Sequence, residues 1–70
     1  MNESDYIIEM HNAISEIVRD GMKENNLSDK ELCSISGVST SIIYKIKNPK
    51  EGKSYQVTSL LRVLHALNMI

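Results

Sequence analysis

The stretch SDKELCSISGVSTSIIYKI, Ser28 to Ile46, is the part of this chain whose reading decides the fold. Ser28-Asp29-Lys30-Glu31 has capping-box spacing, in which the first hydroxyl accepts from the fourth amide and the fourth carboxylate reaches back to the first amide. A helix is predicted to start there, with Leu32, Cys33 and Ile35 turned inward. It is short, because Ser36-Gly37-Val38 interrupts it and Gly37 is free to take a positive φ that side chains resist. Ser39 then stands at an N-cap. The next helix is predicted from Thr40 to Ile46, burying Ile43 and Ile46 and exposing Thr40, Ser41, Tyr44 and Lys45. Asn48-Pro49 stops it, since proline disfavours a helical residue before it and has no amide to donate.

Upstream, from Tyr6 to Met22, the apolar positions Ile7, Met10, Ile14, Ile17, Val18 and Met22 recur at steps of three and four, which puts them on one helical stripe. Ser4 or Asp5 is placed to cap that helix, the acids Asp5 and Glu9 suit the positive end of its dipole, and Asn25-Asn26 can close it in a left-handed turn. Gly21 is a weak point within it, at a cost of about 1 kcal/mol relative to alanine. Downstream, residues 48–56 (NPKEGKSYQ) form the one long loop. A last helix is predicted from Thr58 to Leu67, with Leu60, Leu61, Val63, Leu64 and Leu67 available for burial and Asn68 as a left-handed C-cap. The sum is an all-α chain: one domain over residues 1–70, with two short helices and their turn at about 28–47.

Hydrophobic residues make up 41% of the chain with no Phe and no Trp, so the core must be assembled from Leu, Ile, Val and Met. One cysteine, Cys33, allows no internal disulfide. No signal-peptide pattern opens the chain and no apolar run approaches the roughly 20 residues that span a bilayer, so a soluble cytoplasmic protein without membrane partners is expected. The net charge of −1 is a poor match to a polyanionic partner, but it conceals an asymmetry. Residues 1–31 hold eight acids against Arg19, Lys23 and Lys30, whereas residues 32–70 hold only Glu51 against Lys45, Lys47, Lys50, Lys53 and Arg62. A molecule charged this way can turn one face to phosphates and keep the other away.

Two helices cross at roughly 90–120° around a tight turn only if the residue at the crossing is small, the turn accepts a positive φ and the second helix points apolar side chains back. Cys33, Gly37, Val38, Ile43 and Ile46 meet those requirements in order. Together with Glu31-Leu32-Cys33 and Gly37-Val38, and with the closing segment Val57 to Leu67, this resembles the lambda-repressor and Cro superfamily, the XRE family of helix-turn-helix proteins. The likeness covers about residues 15–69. It implies a compact lambda-repressor-like domain of four to five helices, here with an extended first helix, that regulates transcription by binding double-stranded DNA. In that family the helix after the turn lies in the major groove. Carried over by position, base contacts fall to Ser39, Thr40, Ser41, Tyr44 and Lys45, and phosphate contacts to Ser28, Lys47, Lys50 and Lys53. No Arg, Asn or Gln on this helix offers a bidentate base contact, so discrimination per half-site is modest and a homodimer on an inverted repeat would have to raise it.

Three departures from the family pattern bear on this. Where members commonly place a glutamine that touches a phosphate, this chain has Asp29. Where many pair an arginine on the first helix with a glutamate ending the recognition helix, the matching positions are Met22 and Lys47. The first helix also begins about ten residues early, leaving Tyr6, Ile7, Ile8 and Met10 with little core to cover, which implies a partner surface. A second copy is expected either along that helix, the preferred site, or at the C-terminal end formed by Leu67, Met69 and Ile70. A protein partner such as a toxin or another regulator is also compatible.

The remaining reactive residues have plain explanations. Cys33 fills the small buried position at the crossing, His11 and His65 lack ligand-spaced neighbours, and Met10, Met22 and Met69 read as core filler. Tyr44 is placed either to stack or bind phosphate or simply to pack. No nucleophile and base, metal cluster or phosphate-cradling loop is visible, so neither catalysis nor a cofactor is expected. The rival to DNA binding is an interaction module, because the same fold can serve only for dimerisation or docking.

Overall fold

A computed structural model describes residues 3–49 and 55–70, with side chains from Asp5 onward. These residues form four helices, α1 (Glu3–Glu24), α2 (Asp29–Ser36), α3 (Thr40–Lys47) and α4 (Val57–Ala66), and no strand is present among them. The expected range of four to five helices therefore resolves to four within the described chain.

α1 exceeds the predicted Tyr6–Met22 at both ends. Ser4 and Asp5, expected as caps, lie inside it: apolar periodicity registers only from Tyr6, but acids in a first turn suit the helix dipole and let the helix run back to Glu3. It closes as predicted, with Asn26 at φ 54° and the Asn25 side chain donating to the Gly21 carbonyl at 2.7 Å. The last helix also ends as read, with Asn68 at φ 61°.

The core takes side chains from all four helices: Val18 and Met22 from α1, Leu32 from α2, Val38 from the turn, Ile43 and Ile46 from α3, Val63 from α4 and Leu67 just beyond it. α3 lies at the centre, packed against each of the other three helices. Helical geometry explains which predicted core positions miss it. Ile35 lies on the flank of Leu32 away from Cys33 and is 59% exposed, and Leu61 stands off the face formed by Leu60, Val63, Leu64 and Leu67. On α1 the buried face is set by Ser15, Val18 and Met22; Ile17 falls at its edge, while Ile7 and Met10 run past the end of the core, so all three are exposed. Met10 and Met69 are thus not core filler, and Cys33 is half-buried rather than enclosed.

Two contacts tie the C-terminal residues and the end of the long loop onto α1. Gly21 allows a close approach: a Cβ there would lie 2.5 Å from the Met69 methyl carbon and 3.1 Å from Leu67 Cδ1. The helix-weakening glycine is therefore what seats the C-terminal residues. Tyr55, at the end of the loop, meets His11 edge-to-face with ring centroids 5.3 Å apart, and its hydroxyl shares a hydrogen bond with His11 Nδ1 at 3.1 Å. Burial raises the Tyr55 pKa above its ordinary 10.0.

Candidate nucleic-acid interface

The turn between α2 and α3 is fastened at every step. Ser28 caps α2 with both halves of the capping box formed: its hydroxyl accepts from the Glu31 amide and its amide donates to the Glu31 carboxylate, each at 3.2 Å. At the other end Gly37 takes φ 75° and donates its amide to the Cys33 carbonyl. The Ser36 hydroxyl donates to the Leu32 carbonyl at 2.7 Å and accepts from the Val38 amide at 3.1 Å, so the chain is turned over with its polar groups paired. Val38 plugs into the core, and Ser39, in an extended conformation, caps α3 by accepting from the Ile42 amide.

With Ile43 and Ile46 buried, the opposite side of α3 is exposed and carries Thr40, Ser41, Tyr44 and Lys45. Spacings of three and four residues put these side chains beside one another on one surface. Ser39, at its edge, is exposed too, but its hydroxyl is engaged with the Ile42 amide and lies 3.2 Å from that of Ser41. Lys45 has no acidic partner among the described residues. The five residues expected at base edges are therefore brought together, and hydroxyls and a cation share one exposed surface.

The expected phosphate contacts are less uniform. Ser28 is committed to its capping box. Lys47 is half-buried, and its ammonium forms an ion pair with the Asp29 carboxylate at 2.5 Å. Asp29 is thus not a lone repulsive charge beside the interface, and Lys47 is not a lone attractive one. Lys50 and Lys53 lie outside the described residues.

The join between α1 and the end of α3 was not foreseen. The Ser15 hydroxyl donates to the Lys47 carbonyl, Arg19 Nε donates to the same oxygen at 2.9 Å, and an Arg19 terminal nitrogen donates to Asn48 Oδ1 at 2.8 Å. A guanidinium is thereby held at the negative end of the α3 dipole. Met22, matched by resemblance to the family's arginine, instead packs in the core, one turn along α1 from the arginine that reaches α3. The signal available in sequence was the Ser15–Arg19 spacing of four beside a predicted buried stripe.

Among the described residues no group of three or more His, Cys, Asp or Glu could hold a metal ion, and no helix is long and apolar enough to cross a membrane. No protein-family model matches this chain, and no curated protein or solved structure matches it significantly.

Proposed function

We propose that this chain is a sequence-specific DNA-binding regulator of transcription, of the lambda-repressor-like helix-turn-helix kind, with α3 lying in the major groove. The observation that carries the reading is the single exposed face of Thr40, Ser41, Tyr44 and Lys45 on a helix capped at its start and gripped at its end. Serine and threonine hydroxyls meet either donors or acceptors on base edges, a threonine methyl meets that of thymine, and Lys45 donates to guanine O6 or N7. Lys50 and Lys53 follow α3 in sequence and supply phosphate contacts, while the acids of the first half stay off the duplex. A homodimer on a short inverted repeat, with one α3 per half-site, belongs to this reading, since one such face discriminates only modestly.

The test is a fluorescence-anisotropy titration of the protein against a pool of random duplexes at low and at physiological salt, beside Lys45→Ala. Salt-sensitive binding weakened by the substitution supports the proposal. A folded protein that binds no duplex even at low salt sinks it.

A second reading has one specific observation in its favour. The Asp29–Lys47 pair neutralises a cation at the edge of the proposed interface, as suits a docking module on the same fold with no nucleic-acid partner. It is the reading that a negative titration would leave standing.

A further inference from the structure

The first turns of α1 carry apolar surface that nothing in the described chain covers. Tyr6, Met10 and Ile17, spaced by four and seven residues along one side of the helix, are about half exposed or more, and Met10 reaches 62%; Ile7 borders them, and Ile8 is exposed on the opposite side. The strip does not end with the helix: Met69 lies on Gly21, one turn beyond Ile17, so exposed apolar surface continues onto the C-terminal residues. Molecules that stand alone in water seldom leave so much contiguous apolar surface open. A 22-residue helix in a molecule of principal extents 36 × 20 × 18 Å necessarily projects past its core, and an isolated helical projection is marginal without a partner.

Charge selects the partner. Residues 1–18 contain Glu3, Asp5, Glu9 and Glu16 and no lysine or arginine; the first cation, Arg19, is spent on the α3 terminus. The next acid along the helix, Asp20, is exposed like Glu9 and Glu16. A second copy docked strip to strip would gather Glu9 and Glu16 from both chains, with no lysine or arginine among residues 1–18 of either to offset them. Docked instead with its basic half against α1, it would make a head-to-tail contact that leaves a free surface at each end and need not close. A segment from a different protein, apolar on one face and lined with lysine or arginine, satisfies both properties at once.

We propose that the N-terminal half of α1, through Tyr6, Met10 and Ile17 with Glu9 and Glu16 beside them, docks a basic amphipathic helix of a partner protein. This surface operates whether or not α3 binds DNA. It also moves the expected self-association away from the first helix, the preferred site on sequence grounds.

The test uses the full chain and two synthetic helical peptides of about 18 residues, long enough to hold a helix. They share one leucine face and differ in flanking residues, lysine in one and glutamate in the other. Isothermal titration at moderate salt should show the lysine peptide binding at least about tenfold more tightly than the glutamate peptide. Met10→Asp should abolish that binding. Glu9→Lys with Glu16→Lys should leave the protein folded by circular dichroism and reverse the preference, a change that unfolding would not produce. Equal affinity for both peptides, or lysine-peptide binding indifferent to Met10→Asp, overturns the proposal. So does sedimentation equilibrium showing a wild-type dimer that Met10→Asp converts to monomer, because the strip would then belong to a second copy.

Discussion

Residues 28–47 and residues 5–10 are both helical or turn, yet they differ in what makes them so. The first region is closed on itself: a full capping box, a left-handed glycine, a serine staple and an N-cap fix its backbone, and Leu32, Val38, Ile43 and Ile46 fix its place. In the second every side chain is exposed, four of the six being large and apolar. The difference teaches that the local signals which start and stop a helix are separate from the tertiary contacts that give its apolar residues something to bury against.

The comparison can be broken most directly in the core. Ile43→Ala should cost about 2–5 kcal/mol by urea denaturation, whereas Ile8→Ala should fall within about 0.5 kcal/mol of wild type. Similar losses at both sites would mean that α1 is buried in solution and that the two regions are alike. Gly37→Ala should come next, at about 1–2 kcal/mol; a Cβ there would meet nothing within 4 Å, so the loss would report the backbone at φ 75° alone. Ser28→Ala should cost about 1 kcal/mol through the lost cap, and a thermal midpoint unmoved by it would show α2 to be held by packing instead.

A smaller effect on stability sharpens the functional side. Asp29→Asn removes a partly exposed ion pair and should change stability by no more than about 1 kcal/mol. The freed Lys47 should then tighten duplex binding and steepen its salt dependence by about one phosphate contact. Unchanged affinity and slope would take Lys47 off the interface. Smallest is an alkaline effect. Because the Tyr55 pKa is raised in the folded protein, its contribution is fully present below about pH 10 and is lost as pH climbs through the folded value. Thermal melts between about pH 9 and 11 should decline less steeply for Tyr55→Phe than for wild type.

Most of the backbone was legible because its signals are short-range. Ser28 with Glu31, Gly37, Ser39, Asn26 and Asn68 each act within a few residues of themselves, and each does what its type and spacing imply. Side-chain placement was legible only where a helix has one obvious apolar face, as in α3. Ile35, Leu61 and Ile17 sit at the edges of broad apolar arcs, where burial depends on the neighbouring helix rather than on periodicity. The Asp29–Lys47 pair and the Arg19 contacts join residues 18 to 29 positions apart; the Ser15–Arg19 spacing marks one side of the second join, but no local pattern names the residue across from it. The exposed face of α3 was anticipated from spacing and resemblance together; the polar fastening that holds it was not.

That fastening has an evolutionary corollary. Ser15 and Arg19 hold α3 largely by a main-chain oxygen, that of residue 47, and Ser39 caps it through a main-chain amide. Neither grip depends on which side chains occupy positions 40, 41, 44 and 45. The outward face of α3 can therefore change residue by residue while its mounting stays in place, so the part of the molecule most open to variation is held by its least variable atoms.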